Sequence, residues 1–416
     1  MKKYVELYEQ LKGDILAGHP ACGQRIDSIR SCVRRSGLSQ TTVEKAYERL
    51  ADEGYIRSEP QKGWFVAIDE RRIDLVKKMD AKPVPVKKYK YDLRPRSVHP
   101  ASFDVGLWKK YLKDSLDDEQ MAAYGDSQGE LALRESLAHY AYESRRLITS
   151  AGHIIVGSSF QNLIFILCSL FDEPLTVGIE KGRGTQVRFL FEAFGWKVMN
   201  LEADEEGIKP DELKKDFDIL YITSACQGTH DRPLTKRLEN YEDLFIIEDD
   251  YNGELTYQSG PRNALCARYP DNIYMGSFSR VLVPGLRLAY MAVNDELINK
   301  FLQRSYGPSA SKFEQLALAR YIADGNLAKH VRKLNRLYRS RSDRIGQLFE
   351  HENIDARLNE AYLCFELEID NVHSIEAHDI AVGINGNTVS ASFASLDDDE
   401  LEEAFCALIS AIKKGT

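Results

Sequence analysis

The chain has 416 residues, of which 43% are hydrophobic and 29% are charged, and its formal net charge is −9. This length accommodates two to four domains with cores of their own, and the composition is typical of a globular protein. A disulfide-stapled miniprotein, a fibre and a disordered chain are excluded. The longest apolar stretch, residues 163–171, is far shorter than the ~20 residues of a membrane-spanning helix. No signal-peptide pattern opens the sequence, so we expect a cytoplasmic protein without membrane contact.

The seven cysteines, at positions 22, 32, 168, 226, 266, 364 and 406, are scattered and include no C-x-x-C pair. No cluster of histidines accompanies them. An odd number without paired spacing is typical of reduced thiols, so we expect neither a disulfide framework nor a metal site.

Charge is distributed unevenly along the chain. Residues 1–92 carry more lysine and arginine than aspartate and glutamate, so the negative charge lies in residues 93–416. Between Lys77 and Lys90 the hydrophobic periodicity lapses, and six lysines accompany two prolines, which is typical of a semi-extended linker. The lysines are either a solvated tether or contacts to nucleic-acid phosphate. We therefore predict a domain at 1–68, a basic linker at 69–92 and a larger α/β region at 93–416, divided into 93–300 and 301–416.

The first 68 residues predict three helices and a hairpin. Apolar residues at helical spacing predict a helix over about 4–17, and a second short helix spans 28–35, capped by Asp27 or Ser28. A third helix begins with Ser39 as its N-cap. The segment 55–66 alternates around a Pro/Gly turn, which indicates a β-hairpin. This order is that of a winged helix-turn-helix.

Several residues in this segment resemble the DNA-binding domain of the GntR family of bacterial regulators. They are an arginine in the second helix, Ser39-x-x-Thr42 opening the third, the Ala-Tyr-x-x-Leu-x-x-x-Gly-Tyr sequence at 46–55 and a Gly-aromatic wing. Short polar side chains and a cation on the first turns of the third helix suit a DNA major groove, and further cations suit the phosphates. Taken singly, each is also an ordinary solvated side chain. The predicted DNA-binding residues are Arg30, Arg34, Ser39, Gln40, Thr41, Thr42, Lys45, Lys62 and Gly63.

From residue 91 onward, strand-like apolar runs alternate with helical segments. Strands are predicted near 153–156, 175–179, 219–223, 244–248, 272–275 and 288–293. Such alternation predicts a doubly wound, mostly parallel sheet between helical layers. A long helical stretch at about 311–350, strands near 361–368 and 388–394, and a last helix from Asp397 predict a smaller C-terminal α/β subdomain.

Five motifs in this region resemble the MocR subfamily of GntR-type regulators, in the order found there. They are Tyr-Asp-Leu-Arg-Pro at 91–95, Tyr-Gly-Asp-Ser-Gln-Gly at 124–129, Gly-Ser-Ser at 157–159, Glu-Asp-Asp-Tyr at 248–251 and the run from Gly276 to Arg287. The resemblance implies a DNA-binding domain fused to an aminotransferase-like domain of pyridoxal-phosphate fold type I. It also implies a homodimer and an effector sensor that binds pyridoxal 5′-phosphate.

One departure from the family pattern concerns the chemistry. Where the family has the lysine that forms a Schiff base with the cofactor aldehyde, this chain has Arg280, and no lysine occurs between Lys236 and Lys300. A guanidinium does not lose its proton and cannot form that bond. The loop at 224–231 has also lost its family pattern, residues 180–184 lack the stacking aromatic, and residues 389–393 lack the carboxylate-binding arginine. We therefore predict no catalytic residue and no covalent cofactor.

The remaining pocket residues predict an anion site. We expect Gly157, Ser158 and Ser159 at a strand-to-helix turn, where free amides and the helix dipole favour an anion. By resemblance, Ser277, Ser279 and Arg287 complete a phosphate cup, while Asp249 and Tyr251 match the residues that contact the cofactor ring. Noncovalent pyridoxal 5′-phosphate, another phosphorylated small molecule, or internal bonds among these residues all remain open. For Arg280 we expect a salt bridge with Asp249, with Asp250 or an anion as other candidate partners.

The sequence is compatible with three functions. The leading hypothesis is a homodimeric transcriptional regulator that binds double-stranded operator DNA and has a catalytically inactive, effector-sensing aminotransferase-like domain. The alternative is an enzyme of the same fold, an aminotransferase or lyase fused to a DNA-binding domain. The third is a purely structural dimerisation domain that needs no effector.

Overall fold

In a computed structural model the chain forms two compact units, Met1–Lys88 and Tyr89–Thr416. The structure describes residues 2–68, 88–116, 122–204, 207–223, 237–238, 244–268, 271–369, 372, 375 and 378–415. Most of the predicted linker and the whole 224–231 loop therefore lie outside the described residues. Within the described ranges no helix has both the length and the hydropathy needed to cross a membrane.

The N-terminal unit is a winged helix-turn-helix, as predicted. Its elements are α1 (Lys3–Leu16), α2 (Ile29–Ser36), α3 (Gln40–Asp52), β1 (Ile56–Glu59) and β2 (Gly63–Val66). Strands β1 and β2 pair antiparallel, and residues 23–26 add backbone hydrogen bonds to the outer edge of β2. Its core contains the predicted buried face of α3, namely Val43, Ala46, Tyr47 and Leu50, packed against α1 and the hairpin.

Residues at the helix ends explain the sharp turn between α2 and α3. The Ser28 hydroxyl accepts a hydrogen bond from the Ser31 amide at 3.2 Å, so Ser28 rather than Asp27 is the N-cap. Gly37 ends α2 in the left-handed conformation, with φ of 68°. The Ser39 hydroxyl then accepts from the Thr42 amide at 3.3 Å, which starts α3. Capping and a left-handed glycine satisfy the free backbone groups at the helix ends.

The centre of the C-terminal unit is a seven-stranded sheet. Its strands are β4 (Ile154–Gly157), β5 (Thr176–Glu180), β6 (Lys197–Leu201), β9 (Ile219–Ile222), β10 (Ile246–Asp250), β11 (Ile273–Ser277) and β12 (Ala289–Ala292). The spatial order is β4-β12-β11-β10-β9-β5-β6. Only β12 runs antiparallel to its neighbours. The predicted mostly parallel sheet is confirmed, with β6 as an additional strand.

Side chains from alternate strand positions enter separate cores on the two faces of this sheet. Ile154 and Val156 belong to one apolar cluster and Ile155 to the other, as the two-residue period of a strand requires. The helices of the unit are α4 (Val105–Leu116), α5 (Leu131–Arg145), α6 (Phe160–Ser169), α7 (Thr185–Ala193), α8 (Asp295–Gln303), α9 (Lys312–Ala323), α10 (Asn326–His351) and α11 (Asp398–Gly415). A sheet buried on both faces gives the three-layer architecture of the prediction.

The small subdomain contains a four-stranded antiparallel sheet. Its strands are β13 (Arg357–Asn359), β14 (Cys364–Glu368), β16 (Gly383–Asn385) and β17 (Thr388–Ser392), in the order β13-β14-β17-β16. The other described strands have two residues each and form two pairs: β3 (Tyr91–Asp92) with β15 (Ile380–Ala381), and β7 (Ala203–Asp204) with β8 (Gly207–Ile208). The central strands β14 and β17 correspond to the predicted pair, and the two edge strands of three residues each were not predicted.

The predicted helical stretch at 311–350 is in fact two helices. Gly325, with φ of 72°, precedes the first residue of α10 and separates it from α9. A left-handed glycine ends the hydrogen-bonding pattern of an α-helix, and Asp324-Gly325-Asn326 is a suitable sequence for such a break.

Candidate functional site

The exposed surface of the helix-turn-helix carries most of the predicted DNA-binding residues. Arg30 and Arg34 on α2 and Gln40, Thr41 and Lys45 on α3 are exposed. None of Arg30, Arg34 and Lys45 has a carboxylate within 4.0 Å among the residues described. Their charges are therefore available to phosphate oxygens.

Some polar side chains on α3 already have partners within the protein. The Gln40 amide donates to Glu44 Oε1 at 2.8 Å, and the hydroxyls of Ser39 and Thr42 lie 2.8 Å apart. Ser39 and Thr42 therefore have a clear role in starting α3. The bond to Glu44 uses one N–H of Gln40 and leaves its second N–H and its Oε1 for a base edge.

The wing places a cation next to a glycine. Gly63 has φ of 110°, and a Cβ at this position would lie 3.1 Å from the guanidinium of Arg25. Lys62 Nζ lies 3.4 Å from Glu59, which partly neutralises it. Arg25 is exposed and was not predicted, because the sequence alone did not pair residues 23–26 with the wing.

In the C-terminal unit, the predicted anion-site residues meet at one edge of the large sheet. Ala289 of β12 pairs with Gly157 on one side and with Ser277 on the other. Asp250 of β10 pairs with Gly276 of β11. Asp249 therefore lies at the same end of the sheet as Ser277, on the next strand. Carboxyl ends of parallel strands are where ligands bind in open α/β folds.

The predicted phosphate cup includes the turn at the N-terminus of α6. The Ser159 hydroxyl accepts from the Asn162 amide at 3.1 Å, and the Ser158 amide donates to Asn162 Oδ1 at 3.2 Å. An added Cβ on Gly157 would come within 2.7 Å of the Leu163 side chain, so the turn requires glycine. The first turn of a helix offers unpaired amides and a positive dipole end to an anion.

The predicted cup also includes two hydroxyl groups and one cation, from Ser277, Ser279 and Arg287. Ser277 Oγ donates to Ser279 Oγ at 3.3 Å. Arg287 is exposed, with a left-handed backbone at φ of 52°, and within the described ranges it makes no hydrogen bond or ion pair. A non-glycine residue in this conformation is uncommon and strained, and such residues concentrate at ligand sites.

Asp249 is placed as a hydrogen-bond acceptor at the centre of this edge. Tyr221 of the neighbouring strand β9 donates to Asp249 Oδ2 at 2.5 Å. Burial raises the pKa of Asp249 to about 7, with smaller contributions from Asp250 and Glu248, while the Tyr221 hydrogen bond acts in the opposite direction. Tyr221 was not predicted, because the sequence does not reveal that β9 adjoins β10.

Arg280 is buried, and the predicted salt bridge to Asp249 is wrong. Its Nε donates to Tyr251 Oη at 3.2 Å, and its terminal nitrogens donate to the carbonyl oxygens of Ser97 (3.3 Å) and Pro95. Of the carboxylates in the described segments, none lies within 4.0 Å of this guanidinium. Backbone carbonyls satisfy its donors without neutralising its charge.

Asp250, the second predicted partner of Arg280, is occupied by a different arginine. Arg145 from α5 donates to both Asp250 oxygens, at 2.6 and 2.9 Å, and Tyr274 donates to the same carboxylate at 2.7 Å. This bidentate pair is fully buried and holds α5 against the sheet. The prediction of an Asp250–Arg280 contact is therefore also wrong.

The donor set does not fit a covalently bound pyridoxal phosphate. Arg280, at the position predicted from the resemblance to match the Schiff-base lysine, is a guanidinium whose terminal nitrogens already donate to carbonyl oxygens. The residues of the predicted cup offer amides, hydroxyls and a cation, which are groups that bind anions. In the part of the chain that the structure describes, no group of three or more His, Cys, Asp and Glu residues could hold a metal ion.

Comparisons with known proteins agree with both parts of this architecture. Residues 3–66 match the family described as "Bacterial regulatory proteins, gntR family". The chain is 30% identical over 447 aligned positions to the "Uncharacterized HTH-type transcriptional regulator YdeL" of Bacillus subtilis, covering 99% of this chain and 96% of that protein. It is 26% identical to the "HTH-type pyridoxine biosynthesis transcriptional regulator PdxR" of Corynebacterium glutamicum, with the same coverage.

Among solved structures, the fold is similar to that of aminotransferases. A multiple substrate aminotransferase from Thermococcus profundus superposes with a TM-score of 0.68 at 22% identity, over 84% of this chain and 95% of that one. An aspartate aminotransferase variant from Thermus thermophilus gives a TM-score of 0.67 at 15% identity, over 82% and 94%. The protein therefore combines a GntR-type DNA-binding domain with an aminotransferase-like fold. It belongs to the MocR-type family of GntR transcriptional regulators.

Proposed function

We propose that this regulator binds a specific operator in double-stranded DNA and senses a small anionic effector through an aminotransferase-like domain that does not catalyse transamination. The observation that carries this proposal is Arg280. By the resemblance of its motif it takes the position of the Schiff-base lysine, and its guanidinium donates to two carbonyl oxygens and a phenol. A guanidinium, protonated at any physiological pH, cannot be the nucleophile.

The retained geometry supports a sensor in preference to a purely structural domain. Gly157, with the helix N-terminus that follows it, and Ser277 both adjoin Ala289 at one end of the large sheet, and the exposed Arg287 lies two residues before Ala289 in sequence. The effector we propose is noncovalent pyridoxal 5′-phosphate or another phosphorylated small molecule. Its phosphate would bind at Gly157, Ser158, Ser159, Ser277, Ser279 and Arg287, with Asp249 and Tyr251 facing the rest of the molecule.

We further propose that the chain acts as a cytoplasmic homodimer with domains at 1–68, 93–300 and 301–416 joined by a linker at 69–92. Several large apolar side chains on the C-terminal unit are exposed and support dimerisation. They include Tyr124 (95% exposed), Ile148 (75%) and Phe189 (71%). Exposed apolar surface is typical of interfaces. Sedimentation analysis of the full chain measures the oligomeric state directly.

The decisive experiment separates the regulator from the enzyme. The purified protein is incubated with pyridoxal phosphate, reduced with borohydride and digested, and its peptides are analysed by mass. We expect no cofactor fixed to a pocket peptide, together with sequence-selective binding of duplex DNA. A reduced cofactor adduct on a pocket lysine, with turnover of an amino acid, would support the enzyme instead.

A further inference from the structure

The long helix α10 carries an unusually basic surface in a unit whose sequence is acidic. Its 26 residues include seven lysines and arginines but only two acidic residues. Four of these cations, Lys329, Arg332, Lys333 and Arg336, occupy successive turns and are all exposed. We call these four residues the α10 basic stripe.

The arginines in the second half of α10 have structural partners. Arg341 is buried and bonds Asp398 at 2.8 Å, and Arg344 bonds Glu402 at 2.9 Å, both on α11. The four residues of the stripe have no such partner, because no carboxylate in the described residues lies within 4.0 Å of any of them. The two halves of the helix therefore use their cations differently.

The spacing of the stripe places like charges next to each other. The stripe contains two like-charged pairs at i, i+4 spacing, Lys329 with Lys333 and Arg332 with Arg336. The members of each pair lie on the same helix face and repel each other. The apolar face of α10 is buried on the opposite side, through Leu327, Leu334 and Tyr338. An uncompensated row of cations is stabilised by a polyanion that supplies closely spaced negative charges.

A neighbouring helix extends the positive charge. Asn326, the first residue of α10, donates to Tyr111 Oη of α4 at 2.7 Å. Helix α4 carries three more exposed lysines, at 109, 110 and 113, and none of these has an ion pair with a described residue. Two exposed acids accompany these lysines: Asp104, just before α4, accepts from the Leu107 amide at 2.9 Å, and Asp114 lies within α4.

From this surface we infer that the α10 basic stripe binds the phosphate backbone of duplex DNA outside the sequence contacted by the helix-turn-helix. The inference rests on the proposed function, in which this chain binds operator DNA. The stripe is about 10 Å long, from Lys329 to Arg336. A DNA strand presents one phosphate per about 3.4 Å along the axis, so the stripe matches about three consecutive phosphates.

The inference predicts a dependence on DNA length. A site selected from random duplexes by the wild-type protein is embedded in a short duplex limited to that site and in a long duplex extended by about two helical turns on each side. The test variant is Lys329→Gln/Lys333→Gln/Arg336→Gln in the full chain. The charge-matched control is Lys181→Gln/Lys300→Gln/Lys413→Gln, whose lysines pair with Glu202, Glu296 and Glu352 in the same unit.

We expect the stripe variant to bind the long duplex at least about tenfold more weakly than the control variant does at low salt. The slope of log affinity against log salt should decrease by about 2 to 3 per bound protomer, since each phosphate contact contributes about 0.9. Affinity for the short duplex should be equal in the two variants. In the wild-type protein, Lys329 and Lys333 should be protected from acylation by the long duplex, whereas Lys181 and Lys413 should not.

Equal affinities and equal salt slopes of the two variants on the long duplex would overturn the inference, as would unprotected Lys329 and Lys333. Both outcomes leave the proposed function intact if the wild-type protein binds the short duplex selectively. Failure of the wild-type protein to bind any duplex would instead reject the proposed function.

Discussion

Arg280 Nε donates a 3.2 Å hydrogen bond to the phenolic oxygen of Tyr251, and the same guanidinium reaches back to the carbonyls of Ser97 and Pro95. The arginine thus joins the turn after β11 to the segment that follows β3. Its positive charge has no carboxylate partner in the described parts of the chain, although Asp249 and Asp250 lie on an adjacent strand. An uncompensated buried cation favours the binding of an anion.

Under the proposed function, Arg280→Lys should supply the amine that a Schiff base requires. A lysine amine can lose its proton and condense with the aldehyde of pyridoxal phosphate, so the variant should gain the visible absorbance of a lysine Schiff base. Arg280→Gln is the control, since it removes the charge without supplying an amine. A Schiff-base band in the wild-type protein or in the glutamine variant would show that another lysine is the nucleophile.

Arg287→Ala should abolish anion binding in the cup. The wild-type protein should be stabilised against thermal unfolding by pyridoxal phosphate or inorganic phosphate, because a ligand that binds only the folded state raises its stability. Arg146→Ala is a matched control, because Arg146 is also exposed and also has a left-handed backbone, at φ of 58°. Equal stabilisation of both variants by the ligand would exclude Arg287 from the site.

Asp249→Asn should change how stability depends on pH. The pKa of Asp249 in the folded protein is raised from 3.8 to about 7, so the folded state binds a proton that the unfolded state releases. Stability from this group is therefore present below about pH 4 and is lost as the pH rises to about 7, with a slope of at most about 1.4 kcal/mol per pH unit. Urea unfolding between these limits should show a shallower decline in the variant, and an unchanged decline would contradict the assignment.

Substitutions on α3 should separate base recognition from phosphate contacts. Lys45→Ala should weaken binding to all duplexes and lower the salt slope by about 1, whereas Gln40→Ala and Thr41→Ala should each relax base preference by about 1–3 kcal/mol per lost contact. Glu44→Ala is informative as well, because it releases the Gln40 amide and should strengthen any contact that amide makes with DNA. If all three alanine variants at 40, 41 and 45 keep wild-type affinity and selectivity, this surface does not bind DNA.

Gly63→Ala should destabilise the N-terminal unit by about 1 kcal/mol or more. The backbone at φ of 110° disfavours a side chain, and the new Cβ would crowd the Arg25 guanidinium. Gly13→Ala is the control, because Gly13 lies within α1 with no atom near its added Cβ, and alanine there should add about 0.4–1 kcal/mol. Denaturant unfolding of the two variants measures both effects, and opposite signs are expected.

The elements that sequence predicts best are those defined by local signals. The end of α2 at Gly37 and the start of α3 at Ser39 could be predicted from the sequence. Hydroxyl caps and left-handed glycines act within a few residues of their own position. The prediction of an Asp249–Arg280 salt bridge was wrong because Arg280 donates to backbone carbonyls instead. Every residue type has a backbone carbonyl, so the sequence does not indicate such a partner. Tyr221 was missed for a different reason, since its partnership with Asp249 depends on strand order in space.

The position of β12 has a consequence for protein synthesis. Gly157 and Ser277 belong to strands far apart in sequence, and they come together only because Ala289 pairs with both. A ribosome-bound chain that ends before residue 289 therefore lacks the proposed effector site, however well its earlier segments are folded. Under the proposed function, an effector that binds during translation stabilises only chains that have completed the sheet, so its supply sets how much regulator accumulates.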